Sequence, residues 1–169
     1  MTVSWGLRAV GSIIIGADHA GFSLKEGLKG FLAKKGLNVV DVGTHGSDAV
    51  DYPDVAVLVA GKVSSGAAAK GILVCGSGVG MSIAANRYPG VRGALCLDTE
   101  TARLSRLHND SNVLILAGRK TDIETAKSIV TVWLETDFEG GRHKGRLDKI
   151  KAIEKKILNA KHEILSTKS

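Results

Sequence analysis

The stretch Gly71-Ile72-Leu73-Val74-Cys75-Gly76-Ser77-Gly78-Val79-Gly80-Met81 decides the fold of this chain. Its first four residues form an apolar run that predicts a buried strand, and residues 81–86 predict a short helix. A strand, a glycine-rich turn and a helix in succession form the repeating unit of parallel sheets. The turn also places the thiol of Cys75 beside a row of backbone N–H groups at a helix start. Such an arrangement binds anions and favours the thiolate over the thiol.

The same alternation of apolar strand and amphipathic helix extends outward in both directions. Parallel neighbours need crossover connections, so five strands separated by helices predict one parallel sheet that is covered on both faces. The expected fold class is α/β, a Rossmann-like three-layer sandwich with a five-stranded parallel sheet, plus a C-terminal helix. Strands are predicted at 12–16, 38–42, 71–75, 92–96 and 112–116, and helices at 22–35, 54–65, 81–86, 99–108 and 122–135.

Length and composition limit the class of protein. The 169 residues suffice for one domain with a sizeable core, and 44% hydrophobic and 24% charged residues are ordinary for a globular protein. No apolar run approaches the roughly 20 residues that span a membrane, and the first residues do not resemble a secretory signal. Two cysteines do not indicate a disulfide framework. We therefore expect a cytoplasmic protein with no membrane partner.

The basic residues of the chain are concentrated near its C-terminus. Residues 141–169 contain nine Lys/Arg and three Asp/Glu, which accounts for the whole net charge of +6. A basic segment indicates either a nucleic-acid contact or a solvated helix face. Aromatic residues, which would stack on bases, make up only 4% of the chain. We therefore favour the solvated face and expect no nucleic-acid partner.

We expect the chain to form one domain. Residues 1–141 form its Rossmann-like part, with residues 1–11 as an N-terminal extension, and residues 142–169 form a basic C-terminal helix and tail. A narrow apolar stripe on that helix consists of Leu147, Ile150, Ile153 and Ile157. Such a stripe is as compatible with docking on another subunit as with docking on its own domain, and the pattern alone leaves both open.

The glycine turn after the third strand does not match the common nucleotide-binding motifs. A Gly-x-Gly-x-x-Gly pattern that starts at Gly76 would need its third glycine at Met81, and one that starts at Gly78 would need it at Ile83. The chain also lacks the Gly-Lys-Ser/Thr of a phosphate-binding loop. The turn therefore predicts a general nest of amides for an oxyanion or a phosphate, or else a purely structural tight turn.

Ligands of parallel sheets bind beyond the carboxyl ends of the strands, so the residues at those ends are the first candidates. Asp18 and His19 follow the first strand, and Cys75 ends the third. Cys96 ends the fourth strand without a glycine loop, and we interpret it as structural. His45 lies in a loop between glycines and is expected to be exposed to solvent.

Two or three arginines, from among Arg119, Arg142 and Arg146, are predicted near one strand-end face and favour a phosphate ligand through forked hydrogen bonds. A metal site is not predicted, because the chain has no closely spaced ligand pair. Two chemistries fit a thiol in an amide nest with histidines, a carboxylate and arginines. One is acyl transfer by a Cys/His pair, and the other is proton abstraction beside a carbonyl with an oxyanion site for the enediolate.

Several motifs together resemble the RpiB/LacAB family of sugar-phosphate isomerases, and most closely its ribose-5-phosphate branch. They span almost the whole chain, follow the order of the family and are highly specific in combination. The matching motifs are Gly16-Ala17-Asp18-His19-Ala20-Gly21-Phe22, Val42-Gly43-Thr44, Asp51-Tyr52-Pro53, the stretch from Cys75 to Asn86, Ser105-Arg106-Leu107-His108-Asn109-Asp110 and Gly140-Gly141-Arg142-His143.

The resemblance implies an aldose–ketose isomerase of the pentose phosphate pathway that interconverts ribose 5-phosphate and ribulose 5-phosphate without metal or organic cofactor. By position, Cys75 corresponds to the base that moves a proton between C2 and C1. One branch of the family uses a glutamate at the position of Met81 instead. Met81 cannot accept a proton, so only the cysteine mechanism is available. The implied catalytic residues are Cys75, His108, Asp18 and Ser77.

The resemblance also implies how the substrate is held. His108 would assist ring opening with Asp18 nearby, while Ser77 and glycine amides would hold the enediolate oxygen. Implied substrate-binding residues are His19, Tyr52, Gly76, Gly78, Gly80, Asn109, Arg119, Arg142 and Arg146. Members of the family are homodimers, in some cases tetramers, and build each site from two subunits. The apolar stripe of the C-terminal helix would then be a dimer contact.

Two alternatives to a ribose-5-phosphate isomerase stay open at this point. One is an isomerase of a hexose 6-phosphate, allose or galactose 6-phosphate, because the sequence does not fix the depth of the pocket. The other is a phosphosugar-binding module without catalytic activity. The presence of Cys75, His108 and Asp18 together argues against that module, since a binding protein needs no base.

Overall fold

The structure, a computed structural model, describes the backbone of residues 12–166 and the side chains of residues 12–160. The predicted N-terminal extension, residues 1–11, lies outside the described residues. Among the described helices, none combines the length and the hydrophobicity that a membrane-spanning helix needs.

Five parallel strands form one sheet in the order β2-β1-β3-β5-β4, which confirms the predicted α/β sandwich. The strands are β1 (Ile13–Ala17), β2 (Val39–Asp41), β3 (Lys70–Cys75), β4 (Gly93–Leu95) and β5 (Val113–Ala117). The helices are α1 (Phe22–Lys34), α2 (Tyr52–Ser64), α3 (Val79–Ala85), α4 (Thr99–Asn109), α5 (Ile123–Glu135) and α6 (Arg142–Ser166).

Some elements begin earlier or are shorter than the sequence predicts. Helix α2 begins at Tyr52 instead of Asp54, since Pro53 fits the first turn of a helix, where no backbone N–H is needed. Helix α3 begins at Val79, directly after the left-handed Gly78, rather than at Met81. The edge strands β2 and β4 have three residues each, because an edge strand has a partner on one side only.

The core is divided by the sheet into two layers. In β1, Ile13 and Ile15 pack with apolar residues of α1 and α5, whereas Ile14 packs with residues of α2 and α3. The three central strands are almost wholly buried, as expected for a parallel sheet with helices on both faces. This packing holds the carboxyl ends of β1, β3 and β5 side by side.

The turns after β1 and β5 lie unusually close to β3. A Cβ atom on Gly21 would lie 2.4 Å from the carbonyl oxygen of Val74, and one on Gly118 would lie 2.9 Å from the carbonyl oxygen of Ala20. The amide of Gly118 donates to the carbonyl oxygen of Cys75 at 2.7 Å. The glycines therefore let the two turns converge on the end of β3.

Helix α6 lies against the body of the protein with its first half. Of the apolar stripe, Leu147 is buried, whereas the exposed fractions of Ile150, Ile153 and Ile157 are 43%, 57% and 53%. The Glu154 carboxylate accepts from the backbone N–H of Gly90 at 3.2 Å. Only Leu147 of the stripe is therefore buried against the rest of the chain, and the other three apolar side chains are half exposed.

Candidate active site

A cleft of about 400 Å³ opens at the carboxyl edge of the sheet, where the sequence predicts a ligand site. It brings together residues from the turns after β1, β3 and β5 and from the start of α2. The lining residues are Asp18, His19, Ala20, Tyr52, Cys75, Gly76, Ser77, Gly80, Arg119 and Lys120. The cleft thus contains Cys75 and seven other residues that the resemblance implies for catalysis or substrate binding.

The thiol of Cys75 lies at the base of the glycine turn and is 4% exposed. The backbone N–H of Gly78 donates to its Sγ at 3.2 Å. Gly78 has φ +79°, and a Cβ atom there would lie 2.3 Å from a methyl carbon of Leu95, so only glycine allows this turn. The Gly78 amide thereby fixes the position of the sulfur at the end of β3, where Cys75 lines the cleft.

The turn presents further polar groups to the cleft. Ser77 and Gly80 line it, and the Oγ atom of Ser77 accepts from the N–H of Val79 at 3.3 Å. Amides in the first turn of a helix have no acceptor within the helix, so they remain suited to an anion. Gly78, implied as a substrate ligand, is not among the lining residues, since its amide is directed at the thiol. The structure therefore gives Gly78 a role toward Cys75.

Asp18 and His19 are fixed at the lip of the cleft by backbone contacts. The carboxylate of Asp18, which is 7% exposed, accepts from the N–H of Gly21 at 2.9 Å. The amide of Asp18 donates to the carbonyl oxygen of Val74 at 3.1 Å, which ties this turn to β3. The Nδ1 atom of His19 lies 3.3 Å from both the nitrogen and the oxygen of the Val50 backbone.

Two cationic side chains border the cleft after β5. The side chain of Arg119 lies over the glycine turn, with Cδ and Nε 3.4 Å from where a Cβ atom of Gly76 would be. Lys120 also lines the cleft and was missed by sequence reasoning, although it directly follows Arg119 at the same strand end. The pair gives the mouth of the cleft a positive charge that suits an anionic substrate.

Four implied site residues lie elsewhere: His108, Asn109, Arg142 and Arg146 are not among the residues that line the cleft. Helix α4 leads into β5, so its last residues lie at the amino edge of the parallel sheet, opposite Cys75. A five-residue strand separates the two edges by roughly 13 Å. Within one chain, Arg142 and Arg146 therefore do not share a strand-end face with Arg119, and that prediction is wrong.

His108 does have close neighbours at the amino edge. Its ring stacks on that of His143 with centroids 4.2 Å apart and an angle of 7°. The Oε2 atom of Glu139 lies 3.9 Å from Nε2 of His108 and 3.8 Å from Nε2 of His143. We call His108, Glu139 and His143 the histidine cluster. Burial, followed by the charges of His108 and the nearby arginines Arg142 and Arg146, lowers the pKa of His143, which Glu139 only partly opposes.

The histidine cluster is also a group of potential metal ligands, with ligand atoms within 4.8 Å of one another. A metal ion binds an imidazole nitrogen within the plane of its ring, and two nearly parallel ring planes do not meet at one ion. The Nε of Arg142 also donates to Nε2 of His143 at 3.4 Å. The observed orientation therefore does not suit a shared metal ion.

Two arginines fix the end of α4 that carries His108. Asp110 follows the helix in a left-handed conformation, with φ +44°. Its two carboxylate oxygens accept from Arg106 and Arg92, each at 2.8 Å. Neither arginine was a candidate from the sequence, because a buried arginine cannot be distinguished from a surface one by pattern alone. Their ion pairs hold the end of the helix in place.

Neither Cys96, interpreted as structural, nor His45, expected to be exposed, is among the residues that line the cleft. Burial raises the pKa of the Cys96 thiol to about 11, and the side chain is fully buried. A thiol with that pKa is almost entirely protonated at neutral pH and reacts poorly. The side chain of His45 is 73% exposed. The reactive thiol of the chain is thus expected at Cys75 and not at Cys96.

The chain matches known isomerases in sequence and in fold. The sequence model described as Ribose/Galactose Isomerase matches residues 13–150. This chain belongs to that family. Ribose-5-phosphate isomerase B of Escherichia coli strain K12 is 46% identical over 144 residues, which cover 85% of this chain and 97% of that protein. The family resemblance inferred from the motifs is therefore confirmed.

Solved structures of the family agree with the fold. Ribose-5-phosphate isomerase B of Clostridium thermocellum is 49% identical, with a TM-score of 0.85, and the match covers 86% of this chain and 99% of that one. The Mycoplasma genitalium enzyme with bound ribulose 5-phosphate is 45% identical, with a TM-score of 0.83 and coverages of 85% and 96%. The relatives are thus matched almost over their full length.

Proposed function

We propose that this chain is a ribose-5-phosphate isomerase of type B, which interconverts ribose 5-phosphate and ribulose 5-phosphate. Named relatives catalyse this reaction or bind its product, and the chain matches them over nearly their whole length. The observation that carries the proposal is the buried Cys75 thiol with the Gly78 amide on its sulfur. It lies in a cleft with a cationic border, as a phosphorylated substrate requires.

In the proposed mechanism Cys75, as a thiolate, removes the proton from C2 of the open-chain aldose. The electrons of the C2–H bond form a C1=C2 double bond, and negative charge develops on the oxygen at C1. After a proton moves between the two oxygens, the thiol returns its proton to C1 and the ketose is formed. The amides of Gly76 and Gly80 and the Ser77 hydroxyl would stabilise the enediolate oxygen. One such donor contributes about 2.7–4 kcal/mol in a well-studied hydrolase.

The remaining groups support a site that is shared between two copies. Arg119, Lys120 and His19 line the cleft and are suited to bind the phosphate. His108 and Arg142 lie at the opposite edge of the sheet, so a second copy must supply them to each cleft. We infer a homodimer, or a tetramer of such dimers, in which His108 of the second copy opens the sugar ring. The half-exposed stripe of α6, within residues 142–169, supports a contact with that copy.

A reducing compartment such as the cytoplasm is part of the proposal, because Cys75 can act as a base only as a free thiol. No metal, organic cofactor or nucleic acid takes part in it. Turnover should accordingly be unchanged when a chelator is added to the assay. A loss of turnover with chelator, restored by a divalent ion, would contradict a metal-free reaction.

The decisive experiment replaces the base. Cys75→Ala should abolish isomerisation of ribose 5-phosphate while the protein still binds the phosphosugar, measured by calorimetry. Cys96→Ala is the matched control, since it removes the other buried thiol, and it should keep its turnover. Clear turnover by the Cys75→Ala protein would exclude this cysteine as the base.

A second substrate class needs a parallel assay, because the family description includes galactose isomerases. Ribose 5-phosphate, allose 6-phosphate and galactose 6-phosphate should be compared at equal concentrations with the unmodified protein. We expect kcat/KM to be highest for the pentose, since the named relatives act on it. A higher value for either hexose would assign the chain to that substrate instead.

A further inference from the structure

The histidine cluster contains two residues to which the proposed reaction assigns no role. His143 is 2% exposed and lies face to face with His108, and Glu139 lies within 4 Å of both rings. We propose that His143 and Glu139 are positioning residues that set the orientation of the His108 ring. This inference rests on the proposed function, in which His108 assists the opening of the sugar ring.

The stack restricts the plane of the His108 ring. An exposed histidine turns freely about its side-chain bonds, and His108 itself is 36% exposed. The ring of His143, by contrast, is held by burial and by the donor from Arg142 at 3.4 Å. A nearly parallel contact at 4.2 Å between a fixed ring and a mobile one leaves the mobile ring a narrow range of orientations.

Glu139 is held in place by the backbone and by its neighbours. Its N–H donates to the carbonyl oxygen of Leu107, the residue before His108, at 3.1 Å. The segment that carries this carboxylate is therefore tied to the last turn of α4. A carboxylate held within 4 Å of an imidazole attracts its N–H edge and so favours one orientation of the ring.

The two histidines differ in their access to a substrate. His143 is the buried member of the stack and lies beside the cation of Arg142, which disfavours a charge on it. His108 is the accessible member and lies beside Glu139. A sugar ring can therefore reach His108, and His143 acts only through its contact with His108.

Ring opening can be separated from proton abstraction by measuring two reactions. Ribose 5-phosphate is mostly a furanose and must be opened before it reacts. Ribulose 5-phosphate cannot form the corresponding ring because its O5 carries the phosphate. Exchange of the C1 hydrogen of ribulose 5-phosphate with heavy water therefore needs the base but no ring opening. Comparison of the turnover of ribose 5-phosphate with the exchange rate of ribulose 5-phosphate therefore isolates ring opening, the step that His108 is proposed to assist.

We expect His143→Ala to lower kcat/KM for ribose 5-phosphate at least about tenfold, at the lower end of acid–base effects. The rate of deuterium incorporation into ribulose 5-phosphate, measured by NMR, should stay within about threefold, because chemistry at Cys75 is untouched. His143→Phe keeps a stacking ring and should recover most of the lost activity. Glu139→Gln, at an exposed position, should show the same selective loss without risk to folding.

Matched controls are Glu135→Gln, an exposed carboxylate of α5, and His45→Ala, an exposed histidine. Each control variant should leave unchanged both the turnover of ribose 5-phosphate and the deuterium incorporation into ribulose 5-phosphate. An equal fall of the two rates in the His143 and Glu139 variants, or a raised KM for ribulose 5-phosphate that indicates a phosphate contact, would overturn the inference. Absence of either reaction in the unmodified protein would instead contradict the proposed function.

Discussion

Single glycine residues control how closely the turns of the site approach β3. Gly21 lies against the backbone of Val74, and the backbone N–H of Gly78 donates to the thiol of Cys75. Both contacts need the absence of a side chain. Gly30, by contrast, lies on the exposed side of α1 with nothing near its missing Cβ. Glycines in one chain therefore have opposite effects on stability.

Gly21→Ala should lower the free energy of unfolding by about 1–3 kcal/mol, since its methyl group would overlap the carbonyl of Val74. It should also reduce turnover, because the Gly21 amide holds the carboxylate of Asp18. Gly30→Ala is the matched control and should raise the free energy of unfolding by about 0.5–1 kcal/mol. Urea unfolding of the three proteins measures both effects, and equal stabilities would contradict the close contact.

At the scale of elements, α1 and β2 are joined by a partly buried ion-pair network. Lys25 has a fully buried side chain and donates to the carboxylates of Glu26 and Asp41, and Lys29 donates to the same two groups. Burial raises the pKa of Asp41, but donors from Lys25, Lys29 and the N–H of Gly43 outweigh it and lower the pKa to about 2. The network thereby fixes the start of the loop that leads to Tyr52.

Asp41→Asn should lower the free energy of unfolding at pH 7 by about 3 kcal/mol, because it leaves the buried charge of Lys25 without its main partner. The native pKa lies below the unfolded value, so this contribution is complete above about pH 4 and is lost as the pH falls toward 2. The difference in the free energy of unfolding between the unmodified protein and Asp41→Asn should therefore become small at acid pH. Asp48→Asn, at an exposed loop position, is the control. A gap that is independent of pH would mean that the carboxylate charge is not responsible.

At the scale of the whole molecule, the topology separates the chemical groups into two sets. Cys75 and Arg119 lie at the carboxyl edge of the sheet, and the histidine cluster lies at the amino edge. A closed two-fold dimer brings opposite edges of two chains together twice. Each cleft of the proposed homodimer would then use the thiol of one chain and the imidazole of the other.

Mixtures of inactive variants test this arrangement. Cys75→Ala and His108→Ala homodimers each lack one group in both clefts, whereas a mixed dimer has one cleft with both groups intact. Co-refolding at equal amounts makes half of the dimers mixed and should restore about a quarter of the unmodified activity. Activity should rise after mixing as subunits exchange. If verified mixed dimers recover no activity, Cys75 and His108 do not act together across the dimer, and the shared site is contradicted.

Much of this architecture was predictable from local signals. Apolar runs and glycine turns identify the five strands, and parallel strands necessarily gather their carboxyl ends at one edge, which correctly located the cleft at Cys75. The position of His108 at the other edge follows from the same rule, because a helix that leads into a parallel strand ends at the amino edge. Arg142 and Arg146 lie on α6 with His143, which stacks on His108, and are therefore away from the edge that carries Arg119.

The sequence by itself determined the fold class, the family and the edge at which the thiol lies, because these depend on periodicity and on short motifs. Only the tertiary structure decided that the Gly78 amide is directed at Sγ, that His143 stacks on His108, and that Lys25 is buried against Asp41. These contacts join segments whose side chains meet only after helices and sheet have packed. Their geometry depends on a few tenths of an ångström in that packing, which no residue pattern encodes.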